Sequence, residues 1–324
     1  MGALRVLVGV DGSPGSEVAL RWALREAALW SAARIDGGHD GGAPIVTSLL
    51  SWTTQEPFGG VLRAATTSDS ETLAQAGRRR LERSIERVGG AVPSVDLHRL
   101  VVPGEPVSAL VEAAGGADMI VVGRHRHGPF RRVNIGCVTQ GVVYHAPVPV
   151  VVTRPAGDSD DDDGLAGRLD DDRRAVVVGV DGSELSLVAL RWAAQAAAIR
   201  QVPLRVLHAW GCYDPLYADV FAAAEDSLAR KADEIVDQAV KFGLGDASDV
   251  TVEPVVSSES GIRALLRESE QAQLLVVGSR GLGGFERLLL GSVSHQCVVH
   301  AACDVAVVRN DRQSPQDVVA HGER

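Results

Sequence analysis

The chain repeats itself. Val6-Leu7-Val8-Gly9-Val10-Asp11-Gly12-Ser13 returns as Val176-Val177-Val178-Gly179-Val180-Asp181-Gly182-Ser183 at an offset of 170. The same offset carries Val18-Ala19-Leu20-Arg21-Trp22-Ala23 onto Val188-Ala189-Leu190-Arg191-Trp192-Ala193. Two segments agreeing in register mark a duplication, which restricts the fold to two copies of one domain. Trp52 and Trp210 are 158 apart, and the pairs Gly123/Gly278 and Gly136/Gly291 are 155 apart. The 12 residues lost between the first two offsets match the glycine-rich stretch Asp36–Gly42, which reads as a surface-loop insertion in the first copy.

The 324 residues therefore divide into a first domain over 1–155, an acidic linker over 156–173, a second domain over 174–310 and a polar tail over 311–324. Each domain is long enough to bury about two thirds of its unfolded surface without disulfide or metal. The linker rests on charge: Asp158 to Arg174 contains eight aspartates, and a block of like charges repels itself and stays extended.

The net charge of −10 argues against broad nucleic-acid binding, which draws most of its affinity from a basic surface. Cys137, Cys212, Cys297 and Cys303 show no zinc spacing and read as reduced thiols. No signal pattern and no run of 18 apolar residues is present, so the expectation is a cytoplasmic chain with no membrane partner.

Short β-branched runs alternate with helical patterns in each half. In the second half strands are expected at 175–180, 204–210, 250–256, 274–278 and 305–309, and helices at 184–200, 217–242, 261–271 and 292–301. Nearly continuous apolar strands separated by helices imply an α/β fold: two tandem, doubly wound, five-stranded parallel sheets. Such a sheet opens a crevice at the carboxyl ends of its strands, where the winding reverses.

Four features of the second half fall at that edge. Asp181-Gly182-Ser183 follows the first strand: Gly182 permits a tight turn, Ser183 can cap the next helix, and the Asp181 carboxylate can accept hydrogen bonds from a ligand. Gly278 and Gly281 sit at a strand end, and Gly291-Ser292-Val293-Ser294 opens a helix. Glycines let the main chain approach a polyphosphate, and the helix mouth adds free amides and a positive dipole end. The hydroxyls of Ser292 and Ser294 are expected as further donors. Arg280 and Arg287 offer charge to a phosphate or are simply solvated. His208 lacks a serine or cysteine nucleophile motif and reads as a packed or capping histidine, whereas Ala209 can floor an adenine ring.

Competing signatures are missing. No GxxxxGK[ST] occurs, and the only lysines are Lys231 and Lys241; GxGxxG after the first strand, GxSxG, HExxH and an EF-hand loop are also missing.

With these residues the chain resembles the universal stress protein family in its tandem, two-domain form. The family's ATP-binding pattern G-x2-G-x9-G-[ST] is met in full by Gly278, Gly281, Gly291 and Ser292, and Asp181 stands at the family's acid after the first strand. The resemblance implies ATP, with or without Mg2+, as ligand. Val180, Asp181, Ala209 and Val277 would lie toward adenine and ribose; Gly278, Arg280, Gly281, Gly291, Ser292, Val293 and Ser294 would line ribose and phosphates. It also implies domains that pair through their last strands within the chain, and leaves a homodimer open.

The first half departs from the pattern. Asp11, Gly123 and Gly136 are kept as the elements of a second site, but Arg126 replaces the second glycine and Cys137 the serine. A side chain at 126 would block a left-handed turn or fill the phosphate space. Either this half has become a structural partner, the preferred reading, or Arg124, His125, Arg126, His127, Arg131 and Arg132 attract phosphate by charge. Cys137 is read as a buried, inert thiol in preference to one activated by a helix N-terminus.

The expected function is an ATP-binding, nucleotide-dependent stress-response regulator with an unidentified regulatory protein partner, holding nucleotide mainly in the second domain. No catalytic or metal-binding residue is assigned, and any ATPase activity is expected to be slow. The alternatives are a nucleotide-independent protein-interaction module and, last, an adenylating or slowly ATP-hydrolysing enzyme.

Overall fold

The structure is a computed structural model and describes residues 3–36, 42–53, 70–90, 92–124, 135–155, 173–211, 218–244, 250–282 and 289–309. The chain divides into two compact units at Pro155/Ala156. The first unit runs β1 (Arg5–Gly9), α1 (Pro14–Asp36), β2 (Ile45–Trp52), α2 (Ser70–Arg87), β3 (Asp96–Pro103), α3 (Pro106–Ala113), β4 (Met119–Gly123), α4 (Cys137–His145) and β5 (Val150–Thr153). The second runs β6 (Ala175–Gly179), α5 (Glu184–Arg200), β7 (Leu204–Ala209), α6 (Ala218–Leu244), β8 (Val252–Ser257), α7 (Gly261–Ser269), β9 (Ala272–Gly278), α8 (Ser292–His300) and β10 (Asp304–Val308).

Within the first unit the strand order is β3-β2-β1-β4-β5, and within the second it is β8-β7-β6-β9-β10. The pairings inside both units are parallel. Parallel neighbours require a crossover, and the intervening helices supply it. In the first unit α1 packs beside α2 and α3 beside α4; in the second, α5 packs beside α6 and α7 beside α8. Strands covered in this way carry unbroken apolar runs: Val176, Val177 and Val178 of β6 and Leu274–Val277 of β9 are all buried. The helices of the second half fall within three residues of their expected bounds, and α5 matches at both ends.

Helix α5 shows how local chemistry sets these bounds. Its N-cap Ser183 accepts the Ser186 amide at 3.2 Å through Oγ, which satisfies one of the orphan donors of the first turn. Its far end closes at Gln201, which adopts the left-handed conformation at φ 54° and donates its amide to Ala197 and Ala198. The face turned to the sheet is mostly alanine, with Ala189, Ala193 and Ala197 fully buried, so the helix axis can approach the strands closely.

In each sheet the chain winds outward from the first strand to one side and returns on the other. The reversal lies between β1 and β4 in the first unit and between β6 and β9 in the second, and their carboxyl ends are where a ligand crevice belongs.

Candidate functional site

At the β6/β9 reversal lies a cavity of about 600 Å³. The eleven second-half residues that the resemblance assigns to a ligand all line it: Val180 and Asp181 after β6, Ala209 ending β7, Val277 and Gly278 ending β9, Arg280 and Gly281 beyond it, and Gly291, Ser292, Val293 and Ser294 at the start of α8. Four stretches of chain spread over more than a hundred residues thus converge on one volume, within the range usual for small-ligand sites.

Among the described residues the N-termini of α5, α7 and α8 border this cavity, and those of α5 and α8 differ. The mouth of α5 is closed by the Ser183 cap, and Gly182 makes the preceding turn possible with φ at +86°. The mouth of α8 has Gly291 at its N-cap, which brings no side chain, and its first intrahelical bond runs from the His295 amide to the Gly291 carbonyl. Ser292, Val293 and Ser294 border the cavity and their amides precede that bond, so this helix end can meet an anion.

Asp181 ties the opposite wall. Its Oδ1 accepts the Ser183 amide at 3.0 Å, and its Oδ2 accepts the Leu282 amide at 2.8 Å. Burial pushes this carboxyl up, but the hydrogen bonds from Ser183, Leu282 and Ser186 outweigh it, and the net effect holds Asp181 below the ordinary carboxylate range.

The structure changes the physical reason for one residue. Gly281 does not occupy the left-handed region; the glycines that do are Gly12, Gly89, Gly90, Gly104 and Gly182 among the described residues. What position 281 forbids is volume, since a Cβ there would stand 2.5 Å from Asp181 Oδ2. Of the two expectations for a side chain at this place in the motif, a blocked left-handed turn or a filled phosphate space, the first does not apply at Gly281, and the volume excluded there is the one beside Asp181.

Two further side chains turn inward to the protein. The Ser294 hydroxyl, expected to face phosphate, is buried and donates to the Gly278 carbonyl at 2.5 Å. His208 donates Nδ1–H to the Val180 carbonyl at 2.8 Å, so its ring tautomer is fixed by backbone and it braces the turn after β6. Ser292 and Val293 are exposed. Arg280 borders the cavity, whereas Arg287 lies outside the described residues.

Sequence reasoning missed Leu207, Gly261, Leu265 and Leu282, which also line the cavity. The first and third had a signal, because Leu49 and Leu110 repeat them in the first half at the offsets already noted. Leu282 had none, since it acts through its main-chain amide.

The first unit holds a corresponding cavity of about 490 Å³ at the β1/β4 reversal, bordered by Asp11, Ser51, Gly123, Gly136, Cys137 and Thr139. Gly136 is again a bare N-cap, here to α4, and the first intrahelical bond runs from the Gln140 amide to Gly136. Thr139 donates to the Gly123 carbonyl at 2.9 Å, repeating Ser294 and Gly278. Asp11 accepts both the Ser13 amide at 2.9 Å and the Ser13 hydroxyl at 2.6 Å. Cys137, expected to be buried, is exposed at the first position of α4. Arg124 is buried. His125, Arg126, His127, Arg131 and Arg132 lie outside the described residues.

Among the described residues no group of three or more His, Cys, Asp or Glu side chains could hold a metal ion, and no helix is long and apolar enough to cross a membrane.

Comparison with known proteins agrees with this architecture. The model of the universal stress protein family matches the chain twice, over residues 3–154 and 172–309. A universal stress protein of Mycolicibacterium smegmatis (strain ATCC 700084 / mc(2)155) is 32% identical over 313 residues, covering 94% of this chain and 96% of its own. One from Mycobacterium tuberculosis (strain ATCC 25618 / H37Rv) is 31% identical over 308 residues, with 95% and 97% covered. The crystal structure of a universal stress protein from Archaeoglobus fulgidus DSM 4304 superposes with a TM-score of 0.60 at 19% identity, covering 94% of this chain and 98% of that one, and so shares the fold. With two matches that span both units, the chain belongs to the universal stress protein family.

Proposed function

We propose that the chain is an ATP-binding, nucleotide-dependent stress-response regulator that holds nucleotide mainly in its second unit. The observation that carries this reading is the convergence of the complete G-x2-G-x9-G-S motif, Asp181 and the uncapped mouth of α8 on one cavity. Free main-chain amides at a helix N-terminus suit phosphate, a carboxylate beside them suits ribose hydroxyls, and the small Ala209 and apolar Val277 leave room for a flat base. The amides supply charge complementarity to a bound phosphate, which suits holding the nucleotide.

Calorimetric titration of the full chain with ATP, ADP and AMP tests the reading. Wild type is expected to bind, and Gly281→Arg, which drives a long side chain toward Asp181, is expected to lose binding. Equal affinity in the two proteins overturns the placement. No thermal shift with any of the three nucleotides favours the nucleotide-independent interaction module.

A second reading concerns the number of sites. The first unit's cavity, with its own bare glycine cap, favours occupancy of both units over a purely structural first half. Mass spectrometry of the protein purified without added nucleotide, counting nucleotide per chain, distinguishes one site from two.

A further inference from the structure

Asp181 would ordinarily be read as a ligand contact alone. Its geometry shows a second involvement. The carboxylate receives hydrogen bonds from its own side of the cavity, from Ser183 and Ser186, and one from the far side, through the Leu282 amide 101 residues later. The described segment after β9, as far as Leu282, is thus joined to the β6–α5 turn through a charged side chain. Gly281 sits so close to that side chain that a methyl group would meet Oδ2 at 2.5 Å. Leu282 is itself exposed, so no packing of its side chain holds the amide where it is.

From this we infer that Asp181 is a positioning residue: it latches the segment after β9 to the β6–α5 turn, and so sets the phosphate-binding wall before any ligand arrives. The donor is a backbone amide and the acceptor an ionised carboxylate, a pairing about twice as strong as a neutral one. The Leu282 amide takes one lone pair of Oδ2 and a ligand hydroxyl can take the other, so the latch and the ligand can share the group. The glycine at 281 is required because the latch brings the backbone into contact with the carboxylate. Phosphate affinity should then depend on Asp181 even for a ligand with nothing to offer that carboxylate.

Only the ligand arm of the test rests on the proposed nucleotide reading. In the first arm, amide hydrogen exchange at Leu282 is measured on the ligand-free full chain for wild type, Asp181→Ala, Gly281→Ala and Ser183→Ala. Exchange is expected to rise about 10-fold or more in Asp181→Ala and Gly281→Ala, since each removes the bond, and to rise less in Ser183→Ala, which takes one supporting hydroxyl from the carboxylate but leaves the acceptor in place. Gly281→Ala keeps the carboxylate and covers the case in which Asp181→Ala fails to fold. Equal exchange at Leu282 in wild type and the two latch variants overturns the inference.

In the second arm, inorganic tripolyphosphate and adenosine are titrated separately. A latch predicts that Asp181→Ala weakens tripolyphosphate roughly 10-fold, although tripolyphosphate has no ribose. Weaker adenosine binding with unchanged tripolyphosphate binding would make Asp181 a ribose contact only and overturn the inference. If wild type binds neither probe, the nucleotide reading fails, while the exchange arm still decides the latch.

Discussion

The hydroxyl of Ser294 donates to the carbonyl of Gly278 at 2.5 Å, and Thr139 makes the same bond to Gly123 at 2.9 Å in the other half. In both units the third residue of the last helix is tied to the end of the strand before it. This fixes where the helix mouth points, a structural duty in place of a donor aimed at phosphate. Ser294→Ala should therefore lower stability by about 1 kcal/mol, and Ser294→Thr should be tolerated because the first half already uses threonine there. Denaturant unfolding of the two variants checks this. A fully stable Ser294→Ala protein with lost nucleotide binding would return the hydroxyl to the ligand.

Asp181 gives a pH dependence with a defined sign. Its folded-state pKa is lowered, so its contribution is fully present above the unfolded carboxylate value of about 3.9 and is lost as pH falls through the lower folded value. The stability gap between wild type and Asp181→Asn should accordingly stay constant above about pH 5 and close under more acid conditions. Thermal unfolding of both proteins across that range measures it.

The thiols should separate cleanly. Burial pushes Cys297 and Cys303 up to about 12, and both are shielded, whereas Cys137 is exposed at the α4 mouth. Iodoacetamide at pH 8, read by peptide mass spectrometry, should modify Cys137 in the native protein and reach Cys297 and Cys303 only after unfolding. Because Cys137 borders the first unit's cavity, slower labelling in the presence of ATP would report occupancy there.

Removing the α5 cap should cost stability without touching the α8 mouth. Ser183→Ala is expected to destabilise by about 1 kcal/mol. Leu190→Ala, at a fully buried core position of the same helix, should cost about 2–5 kcal/mol. Nucleotide affinity of the folded Ser183→Ala protein should change little, and calorimetric titration reads it.

Much of this was legible in the sequence because the relevant physics is local or repeated. The duplication set the two units, the apolar strands set the parallel sheets, and Ser183 opened α5 through a signal a few residues long. Convergence of the eleven residues was readable too, since the carboxyl ends of parallel strands lie at one edge. What the sequence did not carry was direction. Whether Ser294 turns toward ligand or toward Gly278, and whether Cys137 is covered, depends on the orientation of a helix mouth, which no residue spacing encodes. The steric role of Gly281 was hidden for a related reason: the atom it must avoid belongs to Asp181, a hundred positions away.

The bare glycine cap of α8 has an evolutionary consequence. The donors it exposes are peptide groups, identical whatever side chains surround them, so substitutions cannot readily erase the attraction for anions. A repeat of this kind abandons its ligand by acquiring bulk, as a filled keyhole and not a demagnetised one. Drift in function should thus be recorded at the few positions where a side chain would intrude, while the pull toward negative charge outlasts the specificity that once directed it.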